Sequence, residues 1–70
     1  MIKLNELLMI LDAKELRVTV PVTPNLKARI TVHPAQTAEL DDLVGLYGNY
    51  NIYSAEPCGV DGAVAIEIRR

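Results

Sequence analysis

The sequence predicts an α+β domain of order αββαββ, with a four-stranded antiparallel sheet and two helices packed on one face. Three observations predict it. Leucines recur at helical spacing in two segments, apolar and polar residues alternate in four others, and a helix precedes two strands in each half. All these apolar stripes are buried together when both helices cover one face of a single sheet.

The two halves of the chain carry this order as a pseudo-repeat. At an offset of 36 residues, positions 4–32 overlie positions 40–68 with four identities. These are Leu4/Leu40, Leu7/Leu43, Pro21/Pro57 and Ile30/Ile66. About two identities are expected by chance from average residue usage. We therefore interpret the repeat as repeated architecture within one domain, residues 1–70, and leave gene duplication open.

The first half predicts a helix followed by a hairpin. Leucines at positions 4, 7, 8 and 11 share one face of a helix over about residues 3–11. Apolar residues then alternate from Leu16 to Val22, which indicates a half-buried strand. Pro21 lacks an N–H, so this strand is expected to be an edge or to end there. The turn residues Thr23-Pro24-Asn25 lead into a returning strand over residues 28–32.

The second half repeats the pattern with more ambiguity. Thr37 is a candidate cap for a helix whose apolar residues recur from Leu40 to Tyr47, and Gly48 is a candidate stop. Residues 49–56 suit a helix or a strand, and we take the strand. Asp61-Gly62 predicts a tight turn before a final strand over residues 63–70.

Composition narrows the functional classes. The 70 residues are half apolar but contain no Trp or Phe, so an aliphatic core is expected, with help from a homodimer or a bound partner. A net charge of −2 favours neither nucleic-acid binding nor DNA mimicry. The single Cys58 suits a reducing compartment, and neither a membrane span nor a signal peptide is predicted, so we expect a cytoplasmic protein.

One face of the predicted sheet is the candidate binding site. Its side chains lie out of phase with the core and include arginines that bind phosphates or carboxylates and a tyrosine that stacks. The site residues are Arg17, Thr19, Arg29, Thr31, His33, Tyr53 and Arg69, with Ala55, Ala65 and Glu67 beside them. A protein contact or dimer surface, a merely solvated face and a nucleic-acid platform are the three interpretations, in decreasing order. Tyr47 and Tyr50 form a second candidate patch, although Tyr47 also suits the core.

Candidate chemistry is sparse. His33 is the one candidate general base, but a lone histidine is more often an exposed polar residue. Cys58 is expected in or near a loop without a base beside it in sequence. Glu39, Asp41 and Asp42 are explained by the helix dipole and solvation. No phosphate-binding, zinc or nucleophile motif is present, so no enzyme activity, metal or cofactor is predicted.

Both ends of the chain carry a resemblance. Residues 4–8 read LNELL, residues 11–20 enter a valine-rich strand, and residues 62–68 read GAVAIEI. In these motifs the chain resembles a loose group of small phage and mobile-element proteins, many from Gram-positive bacteria. The resemblance implies an accessory protein, since a few phage proteins of this size inhibit host defence or host enzymes by binding them. No residue of this chain is assigned a functional role from the resemblance.

These observations predict a non-enzymatic phage or mobile-element accessory protein in the host cytoplasm. It is expected to bind a host protein, with inhibition of a defence or nucleic-acid enzyme as one form of that binding. The alternative is a nucleic-acid-binding module that uses the arginines of the sheet face. A small nuclease or other enzyme, with His33 as its candidate base, ranks third. A membrane partner is not expected.

Overall fold

A computed structural model of the chain describes residues 2–59 and 62–70. The elements in chain order are α1 (Leu4–Ile10), β1 (Glu15–Thr23), β2 (Leu26–Val32), α2 (Thr37–Tyr47), β3 (Asn51–Pro57) and β4 (Ala63–Arg69). The predicted order and α+β class are confirmed. Of the predicted Asp61-Gly62 turn, Asp61 lies outside the described residues, and Gly62 has a φ of 79°.

The sheet is mixed, so the prediction of a purely antiparallel sheet was wrong. Its strand order is β2-β1-β4-β3, and the two central strands, β1 and β4, run parallel. The two hairpins are antiparallel. It follows that the edge strands β2 and β3 also run parallel, as is usual when a helix returns the chain to the starting end of a sheet.

The pseudo-repeat describes the local elements and not their arrangement. At the same offset of 36 residues, β1 overlies β3 and β2 overlies β4. If an internal two-fold axis related the two halves, the central pair of the sheet would be β1 with β3 or β2 with β4. The central pair is instead β1 with β4. In the second half the apolar strand is the later one, because Val64, Ile66 and Ile68 alternate in β4 while β3 ends in Glu56 and Pro57. A strand ending in proline suits an edge.

The core lies between one face of the sheet and the two helices. Leu4 of α1 and Leu43 of α2 join the inward residues of three strands in a single buried cluster. The strand members are Leu16, Val18, Val20, Val32, Ile66 and Ile68. Tyr47 packs against this cluster and is half-buried. The opposite face of the sheet carries no helix within the described ranges.

Pro21, Thr37 and Gly48 have structural roles that differ from those expected from the sequence. β1 is central, so Pro21 does not mark an edge, but the pairing of β1 with β4 ends at Thr19, before the proline. Thr37 is the first helical residue and not the cap, and Gln36 caps α2 without a side-chain hydrogen bond. Gly48 ends α2 in a right-handed conformation, with φ −58°. A Cβ at Gly48 would lie 2.5 Å from the Val44 carbonyl oxygen, so close packing requires the glycine.

Candidate functional site

The exposed face of the sheet carries the residues predicted as the binding site. We call it the open face. Arg17 and Thr19 project from β1 directly opposite Thr31 and Arg29 of β2. Arg69 lies on β4, and His33 directly follows β2. The structure therefore brings the predicted residues onto one surface. Arg17 and His33 lie in one ion cluster and Arg69 in another, while Arg29 belongs to neither.

The first ion cluster centres on Glu15. Its carboxylate lies 2.7 Å from Arg17 Nε and 3.6 Å from His33 Nε2. The other ring nitrogen of His33 lies 3.5 Å from Glu39, and that carboxylate also accepts a hydrogen bond of 3.0 Å from the His33 backbone N–H. The hydrogen bond to Glu15 and the nearby Cys58 raise the pKa of Arg17.

The second ion cluster centres on Glu67. Lys27 Nζ lies 2.7 Å from the Glu67 carboxylate after reaching across β1, and Arg69 Nη2 lies 3.6 Å from the same oxygen. The hydrogen bond from Lys27 is the main reason that the pKa of Glu67 is lowered, although burial acts in the opposite direction. The Arg69 guanidinium also stacks on Tyr53, 3.4 Å from the ring centroid.

These pairs largely neutralise the open face internally. Its cations are Arg17, Lys27, Arg29 and Arg69, and its carboxylates are Glu15, Glu56 and Glu67. With His33 neutral, the net charge of the face is therefore +1. Within the described chain, Arg29 is the one of these cations without an ion pair. A weakly charged face on which three of the four cations already pair with carboxylates is poorly suited to the phosphate backbone of a nucleic acid.

A bulge in β3 changes which of its residues reach the open face. The register shifts between Ile52 and Ser54, so Tyr53 is an extra residue in the strand. Ser54 then pairs with Glu67, while Ala55 pairs with the inward-facing Ile66. Ala55 therefore belongs to the helix-bearing side of the sheet, and its placement on the open face was wrong. Strict alternation fails at bulges because one strand gains a residue that its partner lacks.

Several residues of the open face were missed from the sequence. Glu15 and Lys27 share strand parity with the predicted arginines, and that signal could have found both. Cys58 gave no local signal, because its Sγ atom receives a 3.5 Å hydrogen bond from Arg17, which is 41 residues away in the chain. The thiol is half-buried.

A second surface feature is an apolar groove between α2 and the edge strand β2. It encloses about 220 Å³ and is lined by Ile30, Thr31, Val32, Glu39, Asp42, Leu43, Leu46 and Tyr47. Leu43 is 3% exposed, whereas Leu46 is 70% exposed. Leu46 therefore adds exposed apolar surface at the rim of the groove, which a partner could bury. The helical stripe of α2 suggested the buried side of this helix but gave no sign of the groove.

Among residues 2–59 and 62–70, no three His, Cys, Asp or Glu side chains lie close enough together to hold a metal ion. His33 lies between the Glu15 and Glu39 carboxylates, which are 3.6 Å and 3.5 Å from its two ring nitrogens. Neither described helix has the length and apolar character needed to span a bilayer.

Comparisons with known proteins give no relative from which a function can be transferred. No protein-family model, curated protein or solved structure matches this chain. The features of the molecule that bear on function are therefore its two surfaces, the open face and the α2–β2 groove.

Proposed function

We propose that this chain is a non-enzymatic accessory protein of a phage or mobile element that acts in the host cytoplasm by binding a host protein. Inhibition of a defence or nucleic-acid enzyme is one form that this binding can take. The terminal motifs support the phage or mobile-element origin. The observation that carries the binding role is the apolar groove between α2 and β2, with Leu46 exposed at its rim.

The groove supports protein binding because its surface is mainly apolar and a protein partner can bury it. Burial of apolar surface contributes about 25 cal/mol per Å², and a few anchoring residues commonly supply most of the affinity of an interface. Leu46 is suited to be such an anchor, since it can be buried by a partner without any rearrangement of the core. Glu39 and Asp42 supply a polar rim on the helix side.

The alternative, a nucleic-acid-binding module on the open face, receives less support. Arg29 and the stacked pair of Arg69 and Tyr53 are suitable groups. However, binding to a nucleic acid depends on cations that replace counterions along the backbone, and Arg17, Lys27 and Arg69 already pair with Glu15 or Glu67. The alternative predicts strong salt dependence, which distinguishes it from the apolar groove.

Affinity capture from a nuclease-treated lysate of a Gram-positive bacterium tests the proposal. The bait is the folded chain, and two variants accompany it. Leu46→Lys places a charge in the groove, and Met9→Lys makes the same change at an α1 residue that is 85% exposed and does not line the groove. We expect one host protein to be captured by the wild type and by Met9→Lys and lost with Leu46→Lys.

Two results would contradict the proposal. One is the absence of any captured protein above background at low salt. The other is material that is captured only when the nuclease treatment is omitted, or that is lost when Arg17, Arg29 and Arg69 are replaced together, since that result favours the nucleic-acid alternative.

A further inference from the structure

The two edges of the sheet differ in how they are covered. At the β3 edge, Lys3 forms a bridge with Asn51, and the Ile52 N–H donates a 2.8 Å hydrogen bond to the Ile2 carbonyl. The chain thus covers the start of this edge with its own extended residues. At the β2 edge, no further strand or bridge pairs with residues 26–32 within the described chain.

β2 has only part of the usual protection of an edge strand, since Arg29 is its one charged side chain without an ion pair within the described residues. Natural edges are blunted by proline, by bulges or by charged side chains that would be buried on pairing. β2 contains no proline, and the irregularity of its hairpin adds Val22 to β1 rather than a residue to β2. Its one lysine, Lys27, is directed toward Glu67 across β1. The outward N–H and C=O groups of β2 are consequently available to another strand.

The groove lies beside this edge on the core side. Ile30 and Val32 of β2 form one wall and Leu43, Leu46 and Tyr47 of α2 the other. Side chains of an added strand alternate between the two faces of the sheet. On a strand paired with β2, the core-side side chains opposite residues 30–32 would therefore enter the groove, which selects apolar residues at those positions.

The remaining side chains of the added strand would lie on the open face beside Arg29. Arg29 is exposed and has no ion pair within the described residues. A carboxylate directly across from it would form the pair that the protein itself does not supply. The charge of the edge and the apolar groove together define an occupant with alternating apolar and acidic residues.

We propose that β2 binds an extended segment of the partner protein by strand addition, with apolar side chains in the α2–β2 groove and acidic side chains opposite Arg29. This inference rests on the proposed function and specifies its site and the chemistry of its partner. The backbone would supply affinity and the alternating side chains specificity, as in other complexes formed by strand addition.

A second copy of the chain fits the edge less well. Antiparallel pairing of β2 with β2 of another copy about the strand midpoint would place Arg29 opposite Arg29. Like charges directly opposite on adjacent strands are destabilising. An extended segment with a carboxylate opposite Arg29 avoids this repulsion, because the carboxylate attracts the guanidinium.

Titration of the ¹⁵N-labelled full chain tests the inference. The probe is a capped octapeptide of alternating valine and glutamate, and matched controls are the alternating valine–lysine peptide and two isomers N-methylated on alternate residues. We expect the valine–glutamate peptide to shift the amide resonances of β2 and of residues 39–47. One N-methylated isomer should lose binding, because only one set of its amides faces β2.

Three variants of the protein test which of its residues contact the peptide. Arg29→Glu should weaken the valine–glutamate peptide about three- to tenfold, since an exposed attraction becomes a repulsion, and should improve the valine–lysine peptide. Leu46→Lys should weaken it at least about tenfold by blocking the groove. Met9→Lys should leave the affinity within about twofold, because Met9 does not line the groove.

Four results would overturn the inference. They are no resonance shifts at millimolar peptide, shifts confined to other surfaces, equal binding of both N-methylated isomers, and a homodimer in light scattering whose interface contains β2. The proposed function is tested separately. If Leu46→Lys abolishes lysate capture while no peptide binds, the partner uses the groove through a folded surface, and only strand addition is rejected.

Discussion

Two leucines one helical turn apart on α2 are expected to separate stability from binding. Leu43 is 3% exposed and belongs to the core cluster, whereas Leu46 is 70% exposed at the rim of the groove. Leu43→Ala should lower the free energy of unfolding by about 2–5 kcal/mol, the range for a buried leucine that leaves a cavity. Leu46→Ala should change it by no more than about 0.5 kcal/mol, as is usual at an exposed position.

The size of the chain makes the Leu43 effect large. At about 0.05–0.15 kcal/mol per residue, a domain of this length has a total stability of roughly 3.5–10 kcal/mol. Each kcal/mol lost lowers the Tm of so small a domain by about 4–8 °C, so Leu43→Ala should lower it by about 10 °C or more. The volume-conserving Leu43→Met should cost less than about 1.5 kcal/mol.

Urea unfolding followed by circular dichroism measures both variants under one set of conditions. The comparison also includes partner capture, which Leu46→Ala should weaken while the variant remains as stable as the wild type. Equal destabilisation by Leu43→Ala and Leu46→Ala would refute the assignment of Leu43 to the core and Leu46 to the surface. Normal capture by Leu46→Ala would argue against the groove as the binding site.

The remaining predictions concern two glycines and one ion pair. Gly45→Ala should stabilise the protein by about 0.5–1 kcal/mol, because a Cβ at position 45 meets nothing within 4 Å. Gly48→Ala should destabilise it by about 1–3 kcal/mol, because the added Cβ would lie too close to the Val44 carbonyl. Urea midpoints that shift in the same direction for both would contradict this. Glu67→Gln should be less stable than wild type near neutral pH. Because the pKa of Glu67 is lowered on folding, its contribution is present above the usual glutamate pKa of about 4.3 and is lost as the pH falls through the lowered folded value. The unfolding free energies of the wild type and of Glu67→Gln should therefore converge in acid. Glu56→Gln is the control on the same face. A constant difference between wild type and Glu67→Gln down to pH 2 would contradict the ion-pair explanation.

Local patterns in the sequence predicted the elements and much of the open face. The alternation of Arg17 and Thr19 in β1, and of Arg29 and Thr31 in β2, is a direct consequence of strand geometry, and the structure places them opposite one another. The helical spacing from Leu40 to Tyr47 likewise predicted α2. These features depend only on neighbouring residues and are therefore readable without knowledge of the fold.

Features that depend on long-range packing were not predictable in the same way. Two hairpins of similar apolar pattern can join through several pairs of strands, so the parallel contact between β1 and β4 has no local signature. The extra residue at Tyr53 breaks a regular alternation without a glycine or proline to mark it. The groove arises only when α2 lies beside β2, and the ion pair between Lys27 and Glu67 joins residues 40 positions apart.

Photo-crosslinking in host cells tests the central claim, that the partner binds at the α2–β2 groove, most directly. Benzoylphenylalanine is introduced at position 46, which lines the groove, or at position 53, where Tyr53 lies on the open face. If the partner binds at the groove, a discrete protein adduct forms from position 46 and none forms from position 53. An adduct from position 53 alone, or a nucleic-acid adduct from either position, would contradict it.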